Sequence, residues 1–157
     1  PRPGSVDDLI AATMQKAKAG GEGREREREE RSKAVDEKLK QLVATGVSAL
    51  LDRKAEKLVV LKLSELTSLA DYFVLATASN DRQAQALSDG IELTLKATGR
   101  RPLSIEGFQQ ATWILLDYGD VVFHVFNEEA RRFYSLERLW GDAPDETASF
   151  APAGPNG

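Results

Sequence analysis

Two apolar runs, Trp113-Ile114-Leu115-Leu116 and Val121-Val122-Phe123-His124-Val125-Phe126, flank the short segment Asp117-Tyr118-Gly119-Asp120. Runs of this kind joined by so few residues read as a β-hairpin, and Gly119 supplies the positive φ that such turns often need. Alternation along the first strand sends Trp113 and Leu115 to one face and Ile114 and Leu116 to the other. Val121, Phe123 and Val125 against Val122 and Phe126 repeat that double-sided pattern. Both faces are therefore apolar, and both call for cover by helices, a partner or a second copy.

The rest of the chain supplies those helices. Val35, Leu39, Leu42, Val43, Val47, Leu50 and Leu51 recur at helical spacing, predicting an amphipathic helix from Ser32 to about Ala55. Leu58 to Leu63 and Asp71 to Thr77 read as strands, joined by a polar connection with Thr67 and Ser68. Asn80 with Gln83 three residues on is a capping signal for a helix whose buried stripe is Ala84, Leu87, Ile91 and Leu95, stopped at Gly99. Leu103 to Glu106 is a short strand, and residues 107–111 are a loop before the hairpin of 112–126. A last helix follows Asn127 and runs to about Trp140. The order predicts an α/β fold with a mixed sheet of about five strands and flanking helices.

Three segments follow. Residues 1–31 form an N-terminal extension, disordered or a solvated helix, with a weak helical signal at Asp8–Met14 and an Arg/Glu tract from Glu22 to Arg31 that has nothing apolar to bury. Residues 32–141 are the folded domain, and residues 142–157, rich in Pro and Gly, are expected as a disordered tail. The net charge of −4 falls entirely on residues 39–157, which hold twelve Lys/Arg against sixteen Asp/Glu. Such a balance disfavours direct grip on nucleic acid and suits a basic protein partner. The absence of cysteine removes disulfides and thiolate chemistry, and the sequence shows no signal peptide or membrane-length apolar run, so a cytoplasmic location is expected.

Catalytic signals are weak. His124 is the lone histidine, and its apolar neighbours suit a hydrogen-bonded core imidazole better than a base. Asp117 and Asp120 could bind Mg²⁺, but turns favour Asp for its backbone hydrogen bonds. The segment Thr77-Ala78-Ser79-Asn80-Asp81 could hold an anion at a helix start, yet lacks the glycines of a phosphate loop. A metal-dependent enzyme would draw on Asp71, Asp117 and Asp120, and a direct RNA binder on Arg100, Arg101, Arg131 and Arg132. Trp113 and Tyr118 are amphipathic aromatics of the type found at interface hot spots, with core packing an equal alternative for Trp113. Tyr118 is expected to project from the turn, so that with the two carboxylates it forms an acidic aromatic tip for a basic protein surface.

The runs Thr67-Ser68-Leu69-Ala70-Asp71-Tyr72-Phe73-Val74, Ser79-Asn80-Asp81-Arg82-Gln83, Ile105-Glu106-Gly107, the hairpin of residues 113–126 and Arg131-Arg132-Phe133-Tyr134-Ser135-Leu136-Glu137-Arg138-Leu139-Trp140 resemble the ribosomal silencing factor family, also called RsfS, YbeB or Iojap. The resemblance spans about residues 35–141. It implies a nucleotidyltransferase-like but catalytically degenerate fold, without cofactor or metal, that binds the large ribosomal subunit through ribosomal protein L-fourteen and sterically blocks association with the small subunit. The implied setting is translational repression under nutrient limitation, with a homodimer when free. By matched position, the implied partner-binding residues are Trp113, Asp117, Tyr118 and Asp120, with Arg82 and Tyr134 as lesser contributors. Ala78 departs from the Gly of many relatives.

Overall fold

The computed structural model describes residues 33–151. The expected short helix at Asp8–Met14 and the Arg/Glu tract lie outside the described residues, as do residues 152–157. In chain order the elements are α1 (Lys33–Asp52), β1 (Glu56–Lys62), β2 (Tyr72–Ala78), α2 (Asp81–Ala97), β3 (Ser104–Glu106), β4 (Trp113–Asp117), β5 (Val121–Asn127), α3 (Glu128–Tyr134), α4 (Leu136–Leu139) and α5 (Thr147–Phe150). The strands form one mixed sheet in the order β1-β2-β5-β4-β3. Only β2 and β5 run parallel; β1–β2, β3–β4 and β4–β5 are antiparallel.

The double-sided alternation is used as expected. Val74, Ala76, Ile114, Leu116, Phe123 and Val125 enter one core beneath α1 and α2. Phe73, Leu75, Trp113, Leu115, Val122 and Phe126 enter a second core with Ala130 of α3 and Leu136 of α4, against which Leu69, Tyr134 and Trp140 also pack. β2 and most of β5 are buried along their length, as strands at a sheet centre with both faces covered must be. Gly46 lets α1 approach the sheet: a Cβ there would run into the Phe123 ring.

Helix ends follow local chemistry. Asn80 Oδ1 accepts from the Gln83 N–H at 2.7 Å, and Gln83 Oε1 reaches back to the Ser79 N–H at 2.6 Å, completing the capping signal read from the sequence. Asn127 caps α3 through its side chain on the Ala130 N–H, at 2.7 Å. The single helix expected from Asn127 to Trp140 is instead two, because Ser135 takes a left-handed φ of 45° and turns the chain between them. Another difference concerns residues 142–151, expected as part of a disordered tail. They run along the outer side of β1, with an antiparallel bridge between Leu61 and Asp145, and place Phe150 against the first core. The segment leaves no apolar stripe in the sequence because it pairs with β1 through two backbone hydrogen bonds and the Thr147 hydroxyl.

Candidate functional site

The hairpin turn is built by its own residues. Tyr118 N–H donates to Val121 O at 2.9 Å across the turn, Gly119 takes a φ of 89°, and Asp117 Oδ1 accepts the Gly119 N–H at 2.8 Å. Asp120 offers its backbone carbonyl to the N–H groups of Asp71 and Tyr72, tying the turn to the start of β2. Both carboxylates are half-buried. At Asp117 the turn therefore uses Asp as the sequence chemistry indicated, to hold backbone.

Its aromatic residue does not project. Tyr118 is only 4% exposed and lies in the first core, edge-on to Phe123 at 5.7 Å. Burial, then the charge of Glu92, pushes its phenol up to about 12. The expectation of an exposed phenol at the tip is corrected, and the reason is the alternation already noted: Ile114, Leu116 and Tyr118 are two residues apart and point to the same face. Trp113 is buried too, at 1% exposure, in the opposite core. It also stands at the far end of β4, about 14 Å from Asp117 along the strand. No single knuckle of indole, phenol and carboxylates exists; each ring is buried in a core of the domain itself.

His124 sits where the second core needs a polar partner. Its Nδ1 accepts the Trp113 indole N–H at 3.0 Å, and the ring packs edge-on against Phe73 with centroids 4.5 Å apart. Burial, reinforced by the Arg131 guanidinium, pushes the imidazole down to about 3, so it is neutral at physiological pH. With Nδ1 accepting, the ring proton belongs on Nε2, which has no hydrogen-bond partner among the described residues. This is the hydrogen-bonded core histidine expected from its neighbours.

The residues of the enzyme reading are placed as follows. Asp71 is buried beneath the turn, Asp117 and Asp120 flank it, and among the described residues no group of three or more His, Asp or Glu is arranged to hold a metal ion. The candidate anion cradle at residues 77–81 is filled by Gln83, whose Oε1 takes both the Ser79 N–H and hydroxyl. Of the four arginines in the RNA reading, Arg131 is withdrawn from the surface. Its guanidinium donates to Thr77 Oγ1 at 2.8 Å and to Glu137 Oε2 at 2.9 Å, linking β2, α3 and α4. Beside it a groove of about 430 Å³ includes Lys57 and Arg132, with Lys57 paired to Glu128 and Arg131 to Glu137. That pairing leaves little uncompensated positive charge in the groove for an anion.

What the fold does present is an aromatic ledge. Trp113 packs on Tyr134 at 5.3 Å, Tyr134 is edge-on to Phe133 at 4.8 Å, and Phe133 stands 76% exposed on α3. Leu139, on α4, is exposed as well, with Arg132 and Arg138 nearby in sequence. Tyr134 thus joins core to surface. Phe133 lies within the run of residues 131–140, and its signal in the sequence is a large aromatic on a helix whose inward positions are taken by Ala130 and Tyr134. Arg82 is exposed at the first turn of α2, at the end of the sheet where β5 runs into α3, whereas Asp117 and Asp120 lie at the opposite end.

A family model described as ribosomal silencing factor during starvation matches residues 36–155. Ribosomal silencing factors of Halalkalibacterium halodurans and Bacillus subtilis are each 38% identical, over 66% and 67% of this chain and 89% of theirs. A crystal structure of a Chromobacterium violaceum protein superposes with a TM-score of 0.64 at 34% identity, covering 74% of this chain and 95% of that one. Another, from Bacillus halodurans, gives 0.58 at 36% identity over 66% and 94%.

Proposed function

We propose a function from one premise: this chain belongs to the ribosomal silencing factor family. Its role is translational repression in the cytoplasm under nutrient limitation, exerted by binding the large ribosomal subunit through ribosomal protein L-fourteen. Occupying that surface keeps the small subunit from joining. Repression is steric, requires no reaction at a catalytic centre and no cofactor, and the free protein is a homodimer that shields part of its apolar surface.

The observation that carries the reading is Phe133, a large ring left in solvent and backed by Tyr134 and Trp113. An exposed aromatic on a rigid support is the form of an interface anchor, because it buries a large area with little entropy to lose. Phe133 and Tyr134 are the central contacts. Arg82, Asp117 and Asp120 are rim contacts whose charges steer encounter with the partner. Trp113 and Tyr118 act from inside, by fixing the ledge and the hairpin.

The test is gradient sedimentation of purified subunits with and without the protein. Co-sedimentation with the large subunit and loss of joined ribosomes are the expected results. Absence of the protein from the large-subunit fractions, or undiminished joining when it is bound, would overturn the reading.

A further inference from the structure

The aromatic ledge is carried by two short helices and the joint between them. α3 has seven residues and α4 four, too few for either to hold its direction through its own hydrogen bonds. Ser135, at the joint, takes a left-handed φ of 45° and makes no side-chain bond to the start of α4, which itself buries only Leu136. Phe133 stands on one helix and Leu139 on the other, both exposed. Their mutual placement therefore depends on what spans the joint.

Arg131 spans it. The side chain is 6% exposed; Nε and Nη2 both meet Glu137 Oε2 of α4, at 2.9 and 2.8 Å, while Nη1 donates to Thr77 Oγ1 of β2 at 2.8 Å. One planar group thus fixes both helices to a strand inside the sheet. A guanidinium suits the task because its donors diverge in a rigid fork, whereas an ammonium is a point charge on a flexible stem. The other ion pair of α3, Lys57 with Glu128, joins two exposed side chains, and pairs of that kind contribute little. The buried fork is the stronger hold, since loss of either partner strands a charge away from water.

We propose, on the reading of this ledge as the ribosome-binding surface, that Arg131 is its positioning residue: by holding α4 against α3 across Ser135, it keeps Phe133 in the one orientation that the partner meets. Arg131 is withdrawn beneath the ledge and touches no partner itself. Its effect on binding passes through Phe133, two residues on along α3.

The test uses the full chain with Arg131→Lys, which keeps the charge and loses the fork, and reads amide hydrogen exchange and large-subunit co-sedimentation. In the free protein, exchange at Leu139 and Trp140, whose N–H groups donate to Ser135 O and Leu136 O, is expected to quicken about tenfold with Phe73 and Val74 unchanged. Affinity for the large subunit is expected to fall about tenfold; in a chain that already carries Phe133→Ala, the same change is expected to cost less than about twofold. Lys57→Gln, which breaks the exposed pair, is expected to stay within about twofold of the parent on both readouts. If Arg131→Lys also loses protection at Phe73, Glu137→Ala, at a partly exposed position, releases α4 while sparing the Thr77 bond and is expected to give the same changes. Unchanged exchange in α4, unchanged affinity, or a full tenfold loss that persists without the Phe133 ring would each overturn the positioning role. A parent chain that stays out of the large-subunit fractions would instead overturn the reading of the ledge as a ribosome contact.

Discussion

The indole N–H of Trp113 donates to His124 Nδ1 at 3.0 Å inside a core whose other buried residues are Phe, Leu, Val and Ala. This bond joins the first residue of β4 to the middle of β5 and uses the single polar atom of each ring that faces the other. Trp113→Ala removes the bond and a large part of the second core together. The expected outcome is a loss of about 3–5 kcal/mol in denaturant unfolding, so any loss of ribosome binding would follow from loss of the fold.

His124 also sets an acid limit. Its folded value of about 3 lies below the ordinary imidazole value of 6.5, so the unfolded chain binds the extra proton first as pH falls. Stability from this group is complete above about pH 6.5 and declines as pH drops toward 3, by at most about 1.4 kcal/mol per pH unit. Unfolding titrations of the parent and His124→Asn between those limits should show the steeper slope in the parent.

Phe133→Ala separates binding from folding. An exposed ring contributes little to the isolated domain, so unfolding should shift by no more than about 0.5 kcal/mol. Affinity for the large subunit should fall by about 2 kcal/mol, or roughly 30-fold. Quantitative co-sedimentation measures it, and undiminished binding would remove Phe133 from the interface.

Gly46→Ala should destabilise although it replaces glycine in the middle of a helix. Helix propensity favours Ala by about 1 kcal/mol. The new methyl collides with the buried Phe123 ring, and overpacking a tight core costs about 1–3 kcal/mol. Thermal unfolding should show a net loss.

Ser135→Gly should act in the other direction. Ser135 holds a φ of 45°, a conformation that costs a non-glycine residue about 1–2 kcal/mol, and no side-chain hydrogen bond of Ser135 caps α4. Denaturant unfolding should show a gain of about 1 kcal/mol with binding retained.

Much of this architecture was legible in the sequence because it rests on periodicity. The stripe Ala84, Leu87, Ile91, Leu95 and the alternation through residues 113–126 each specify an element and its buried face. The site was harder to read. Tyr118 looks like a turn-tip residue by position, yet its parity with Ile114 and Leu116 already directed it inward. Trp113 and Tyr118 appear as neighbours in the linear run, and the strand carries them to different cores. The break at Ser135 and the cover over β1 depend on backbone conformations and hydrogen bonds, which apolar patterning does not encode.

The parallel pairing of β2 with β5 has a kinetic side. Tyr72 and Val121 are partners although forty-nine positions separate them, and every residue of β2 from Tyr72 to Ala78 has its partner in that distant strand. Closing so large a loop is entropically unfavourable until the intervening helix and strands give it shape. During synthesis the middle of the sheet therefore stays open until residue 127 has left the exit tunnel, and the nascent amino-terminal half waits with an apolar strand unsatisfied.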